Sequence, residues 1–549
     1  MATISIEVHR MDEQKYNLDQ SKVELDKLFD LSTKETDKTA CEALAEKARI
    51  IYEQYPKSED IALRYARILV NLSVEQVNIE ELGDTVNSAQ QIFEQFKDSE
   101  EIALRYAMAL VNLSAEQVNV EERGNTTNLL KEIFEKFNQS EEIALQYAMV
   151  LYNLSNRQND IKERKESISE IEALTLKFQN SEEIALRYAM ALVNLSAEQV
   201  NVEERGNTTN LLKEIFEQFK QSEAIALQYA MALVNLSAKQ VNVEELDKTI
   251  HSAQQIFEQF KDSEEIALRY AMALYNLSNR QNGIKERKES ISEIEALTLK
   301  FQNSEEIALR YAMALVNLSA EQVNVEELDK TIHSAQQIFE QFNQSEAIAL
   351  QYAMALVNLS AKQINIEELD KTIHSAQQIF EQFKDSEEIA LRYAMALYNL
   401  SNRQNGIKER KESISEIEAL TLKFQNSEEI ALRYAMALVN LSAKQVNVEE
   451  LNKTIHSVQQ IFEQFNQSEA IALQYAMALA NLSLEQTNLD KLNDTVSKLK
   501  KIALNFEKNE DITLYYAEAL AKIITKQQNE EEKLEIIDKL KRLHDRFVQ

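Results

Sequence analysis

One asparagine recurs every 41 residues through most of this 549-residue chain, as Asn71, Asn112, Asn153, Asn194, Asn235, Asn276, Asn317, Asn358, Asn399, Asn440 and Asn481. A carboxamide donates and accepts hydrogen bonds at once, as a peptide bond does. A ladder of such amides could hold an extended polypeptide by its backbone, with little regard for side chains. Asparagine is a poor residue for a helix interior, because its side chain competes for backbone groups. Repeated use at one position therefore implies a task for the amide.

Two further positions keep the same beat. Methionine stands four residues before ten of the rungs: Met108, Met149, Met190, Met231, Met272, Met313, Met354, Met395, Met436 and Met477. Its flexible, polarizable side chain suits an adaptable contact surface, and equally a core gap. Arginine or glutamine stands three residues earlier still, with arginine at Arg64, Arg105, Arg187, Arg269, Arg310, Arg392 and Arg433. A guanidinium fits a carboxylate two-pronged.

These arginines have an acid four residues before them: Asp60, Glu101, Glu183, Glu265, Glu306, Glu388 and Glu429. Gln228, Gln351 and Gln474 have Ala224, Ala347 and Ala470 instead, and only Gln146 keeps its acid, Glu142. That covariation predicts an intrahelical ion pair, worth tenths of a kcal/mol. Two other accounts of the ladder stand beside peptide binding. The amides could bond the neighbouring unit and set the angle between units. The identity could also record duplication alone, since blocks 181–303 and 304–426 differ at about a dozen positions.

The elements that carry these residues follow from composition and period. The tyrosine of IALRYA keeps the 41-residue spacing from Tyr65 to Tyr516, and YNLSNRQN returns every 123 residues, from Tyr152, Tyr275 and Tyr398. A fixed period of this size marks a stacked repeat array. Five glycines and one proline in the whole chain leave little for strands and hairpins. The chain is expected to be all-α, a right-handed α-solenoid of about 12 antiparallel helix pairs after an N-terminal cap.

In the unit starting at Ser181, a first helix is expected from Glu182 to about Gln199. A second, capped by Asn201, should run to about Lys220, with Gly206 here and Gly124 in an earlier unit expected to delay the start by a turn. The second helix is amphipathic, as Val243, Leu246, Ile250, Ala253 and Phe257 show. The first is apolar on most sides and must be packed on most sides. Its remaining polar stripe is Glu183, Arg187, Met190, Asn194 and Glu198, predicted to line a concave groove.

The pair resembles the tetratricopeptide-repeat (TPR) superfamily. Asn194-Leu195-Ser196 matches that family's Asn-Leu-Gly step, and Ala253, Ile256 and Phe257 resemble its second-helix packing set. The period is 41 and not 34, tryptophan is absent, and Asp262-Ser263 replaces the closing proline. HEAT-like arrays have periods near this one. The TPR resemblance implies a scaffold whose concave face binds peptide segments. Carried over, the candidate groove comprises Asn112, Asn153, Asn194, Asn235, Asn276, Asn317, Asn358, Asn399 and Asn440 with Met190, Met231, Met272, Met313, Met354, Arg187, Arg269 and Arg310.

Other chemistry is not indicated. His251, His333, His374 and His456 share one helix position, too far apart for a joint metal site. No phosphate-loop, dinucleotide or metalloprotease motif occurs, so neither catalysis nor a cofactor is expected. A net charge of −31 argues against nucleic acid or an anionic membrane as partner. The lone Cys41, the absence of an apolar run of membrane length and an N-terminus unlike a secretory signal lead to a cytoplasmic expectation. The basic trio Lys162, Arg164 and Lys165, interleaved with glutamate, reads as a salt-bridged surface.

The expected organisation is a cap at 1–57, then blocks 58–180, 181–303, 304–426 and 427–549, the last closing in a second, more basic cap. The expected function is non-enzymatic binding of a protein or peptide along the groove. The alternative is a purely architectural or self-associating array.

Overall fold

The computed structural model describes the backbone of residues 17–548 and side chains as far as His544. The first part of the expected N-terminal cap, 1–16, and Arg546 of the basic end lie outside the described side chains. Among the described residues there are 26 α-helices and no strand. The chain divides into two compact units, Met1–Leu277 and Ser278–Gln549, the boundary falling within the helix Glu264–Arg280.

In the first unit a hairpin, Leu18–Ser32 with Lys38–Gln54, precedes first helices that start at Glu59, Glu100, Glu141, Glu182 and Glu223. These alternate with second helices starting at Ile79, Val120, Ile161, Val202 and Val243. The second unit begins on Ile284–Lys300 and ends on the pair Glu510–Lys526 and Glu530–Val548. Each unit is an all-α tandem array of antiparallel helix pairs.

The local causes repeat with the period. Asn119, Asn201 and Asn242 cap second helices, each side-chain oxygen accepting a backbone N–H of the first turn. Ser140 and Ser222 do the same for first helices, whereas Ser181 makes no side-chain cap bond. Second helices stop at a phenylalanine such as Phe260, at φ −114° and ψ 55°. The Ser263 N–H then bonds the Phe260 carbonyl at 3.1 Å. This tight turn closes the second helix without a proline. Gly124 and Gly206 do not delay their helices, which begin at Val120 and Val202, because the asparagine cap fixes the start.

First helices pack on the preceding and following first helices, on their own second helix and on the previous one, as Glu100–Glu116 does. That four-sided packing is why Ile102, Ala103, Ala107, Ala109 and Leu110 are all fully buried. Successive second helices stay apart, leaving clefts between them. The motif tyrosine reaches under each cleft. Tyr106 stacks on Phe93 of the preceding second helix at 5.6 Å between ring centroids, and Tyr352 on Phe339 at 5.6 Å. In the hairpin, Tyr52 takes the phenylalanine's place against Tyr65 at 5.3 Å.

A glutamine at the end of most first helices locks the helix to its partner, whereas the buried Gln76 and Gln322 oxygens accept no bond. The buried Gln117 oxygen accepts from the Thr126 hydroxyl at 3.0 Å, and Gln240 accepts from Thr249 at 2.9 Å. A buried arginine does more where it replaces the usual leucine. Arg123 donates to the carbonyls of Ala115 at 3.0 Å, Gln117 at 2.6 Å and Asn153 at 2.9 Å. It thereby satisfies helix C-terminal carbonyls of two successive units, with its charge on the favourable end of both dipoles.

Candidate interaction surface

The stripe Glu183, Arg187, Met190, Asn194 and Glu198 lies together along one face of its helix. Arg187, Met190 and Asn194 are half-buried and the two glutamates are exposed. The same half-buried setting holds for Met231, Met272, Met313 and Met354, for Arg269 and Arg310, and for the asparagines from Asn112 to Asn440.

Every asparagine sends its amide N–H to the preceding repeat. Asn112 Nδ2 donates to Ser73 Oγ at 2.8 Å, Asn153 to Ser114 at 2.8 Å, Asn235 to Ser196 at 2.9 Å and Asn276 to Ser237 at 2.8 Å. Asn358 reaches Ser319 and Asn399 reaches Ser360, both at 2.8 Å. Asn71 and Asn481, at the two ends of the ladder, follow the same rule with Ser32 and Ser442 at 2.8 Å. Apart from Ser32, which follows Asp30-Leu31, the accepting serine is the third residue of the Asn-Leu-Ser step. It donates in turn to a carbonyl of its own helix, as Ser196 does to Val193 at 2.8 Å.

Three rungs follow YNLSN units and differ. Asn194, Asn317 and Asn440 donate to the asparagine after the serine: Asn156 at 2.8 Å, Asn279 at 2.7 Å and Asn402 at 2.8 Å. Asn440 also lies 3.2 Å from the Tyr398 hydroxyl. Tyr152, Tyr398, Asn156 and Asn402 thus belong to the stripe. Sequence reasoning passed over them, although the 123-residue return of YNLSN was the available signal.

The arginines depart from the covariation reading. Among the described residues only Arg64 forms the expected ion pair, with Asp60, and it adds a second to Asp26 at 2.9 Å. Arg105, Arg187, Arg269, Arg310, Arg392 and Arg433 form none. Each instead sets Nη1 on the methionine sulfur three residues on, at 3.3 Å in Arg105 and 3.5 Å in Arg187 and Arg310. Their Nε groups are buried without an acceptor. The acid lies a helical turn away and is exposed, so water solvates it better than a half-buried guanidinium can. Burial holds Arg105 and Arg392 below the ordinary arginine range, and neighbouring Arg67 and Arg433 push the same way.

The stripe therefore carries guanidiniums with spare donors, thioethers, and amides with one donor engaged. No cluster of three or more metal-ligating side chains occurs among the described residues, and the four aligned histidines are exposed. No helix among them is long and apolar enough to cross a membrane. The basic trio also divides: Arg164 is buried, donating to the Gln158 carbonyl at 2.7 Å and pairing with Glu198 at 2.6 Å. Lys162 and Lys165 are outside, each facing a glutamate at 3.9 and 3.8 Å.

No protein family matches the chain, and no curated protein does. Solved structures do resemble it. A chain from a structure of the phosphorylation-controlled interaction between cadherin and beta-catenin aligns over 88% of this chain and 99% of its own, at 13% identity and TM-score 0.42. Yeast Tom70 aligns over 88% of this chain and 96% of its own, at 12% identity and TM-score 0.30. TM-scores this low supply no argument about partners. The chain's own geometry places it among helical-repeat proteins with TPR-like two-helix units.

Proposed function

We propose that this chain is a non-enzymatic repeat scaffold that binds protein or peptide segments along the groove formed by its first-helix stripe. The observation that carries this reading is the arginine position. Half-buried guanidiniums recur there with no carboxylate partner, beside methionines, on a surface otherwise rich in acid. A desolvated guanidinium with free donors is a strong site for carboxylates and backbone carbonyls. The adjacent thioether adapts to varied side chains. The side-chain oxygens of rungs such as Asn235 and Asn358 accept no bond among the described residues and offer acceptors for the backbone N–H groups of an extended segment.

A second reading, the architectural array, is favoured by the amide bonds between repeats. The two readings separate at the arginines, since those side chains form no bond between repeats. The test is binding of an extended acidic peptide to the full chain and to the double variant Arg187→Ala/Arg269→Ala, with melting followed in parallel. Lost binding with unchanged melting supports the scaffold. Unchanged binding sinks this assignment of the surface.

A further inference from the structure

Clefts of one kind open between successive second helices, each over a motif tyrosine. The cleft over Tyr106 holds about 280 Å³, and its lining balances Glu94 and Glu132 against Lys97 and Lys136, with Gln90, Phe93 and Leu129 between them. The cleft over Tyr352 holds about 420 Å³ and is lined by Gln336, Phe339, Glu340, Gln378 and Glu381. The last, over Tyr516, holds about 320 Å³. Its lining falls at equivalent positions of the repeat and differs in chemistry: Lys500, Ala503, Leu504, Lys539, Arg542 and Leu543.

Two changes coincide there. Ala503 stands where Phe93 and Phe339 stack on their tyrosines, so Tyr516 has no ring from its own chain in that position. Leu504 and Arg542 stand where the cleft over Tyr106 has Glu94 and Glu132. Among the described residues three cations and no acid line this cleft, in a chain of net charge −31. Arg542 pairs with Asp538 at 2.5 Å, while Lys500 and Lys539 form no ion pair among the described residues.

We infer that this terminal cleft is a binding site for an acidic protein segment that inserts an aromatic side chain over Tyr516. The ring takes the place that Phe93 and Phe339 hold over Tyr106 and Tyr352, stacking at the offset distance aromatic pairs favour. Carboxylates flanking the ring meet Lys500, Lys539 and Arg542. The acidic remainder of the surface repels the same segment, so charge directs it to this end. The site is separate from the first-helix stripe and does not depend on it.

The test uses the full chain and a fluorescein-labelled peptide with one phenylalanine between pairs of glutamates, read by anisotropy at two salt concentrations. Two control peptides replace phenylalanine by alanine or glutamate by glutamine. Ala503→Phe refills the cleft with the residue native to sister repeats and is expected to weaken binding at least tenfold, with the melting curve retained. Lys539→Gln, on the exposed rim, is expected to weaken it severalfold and flatten the salt dependence. Three results overturn the inference: equal binding by Ala503→Phe, equal binding of the alanine peptide, or a self-associated dimer that the peptide cannot displace.

Discussion

Removing one rung of the ladder gives a sharp quantitative expectation. In Asn235→Ala the lost interaction is the bond from Nδ2 to Ser196 Oγ at 2.9 Å. A typical net value for such a bond is about 1 kcal/mol. Ser196 is fully buried but stays satisfied, because its hydroxyl still donates to the Val193 carbonyl at 2.8 Å. No orphaned donor is created, so the larger desolvation penalty does not arise. Alanine also gains roughly 0.6 kcal/mol of helix propensity over asparagine. The net loss is therefore only about 0.5 kcal/mol per rung.

A double-mutant cycle with Ser196→Ala removes the propensity term and isolates the bond, with an expected coupling of about 0.5–1 kcal/mol. The stability of a repeat array is not a single number. The readout is accordingly hydrogen exchange of amides in the helices Glu182–Glu198 and Glu223–Ser237. Zero coupling would refute the claim that the amide joins repeats. A loss above about 3 kcal/mol for the single variant would refute the hydrogen-bond arithmetic, since only packing failures reach that size.

Other expectations follow from particular contacts. Glu183→Ala is expected to shift stability by less than about 0.5 kcal/mol, because its carboxylate holds no arginine; a larger loss by thermal melting would restore the ion pair. Arg123→Ala, which strips three helix carbonyls of their donor, should cost about 3 kcal/mol, whereas Arg123→Leu, the residue at this position in several sister repeats, should cost clearly less in the same exchange measurement. Burial pushes the hydroxyls of Tyr106, Tyr352 and Tyr475 up to about 12. The unfolded chain ionises them near 10. This contribution to stability is therefore intact below pH 10 and is lost as pH rises toward 12, and urea midpoints at pH 8 and 11 check the fall. Lys411 and Lys453 hold the exposed Glu450 carboxyl down at about 2, and NMR titration of Lys411→Met should find it raised.

Much of this architecture was legible in the residues. Twelve-fold near-repetition was not needed; a few positions sufficed. Asn201 ahead of Glu203 and Glu204 set the start of a second helix, and the apolar circumference of Glu182–Glu198 implied packing on four sides. The stripe was legible as a line of residues because helical phase is a property of sequence alone. Its bonding was not. Arg187 and Glu183 covary with their counterparts and lie one turn apart, yet desolvation of the guanidinium and exposure of the acid decide against a pair. Arg164 looked like surface because its neighbours are charged, but its position in the period is a leucine position, and depth follows from position.

The sequence by itself determined the periodic elements of this protein: helix starts, helix stops, buried faces and the alignment of the asparagine ladder. These depend on local backbone preferences and on hydrophobic phase, both carried within one repeat. Only the tertiary structure decided what each polar side chain on that ladder does. The partner of Asn235 lies 39 residues away, on Ser196. Whether an amide, a guanidinium or an aromatic ring is spent inside the chain or left for another molecule depends on distances between repeats, and those are set by packing.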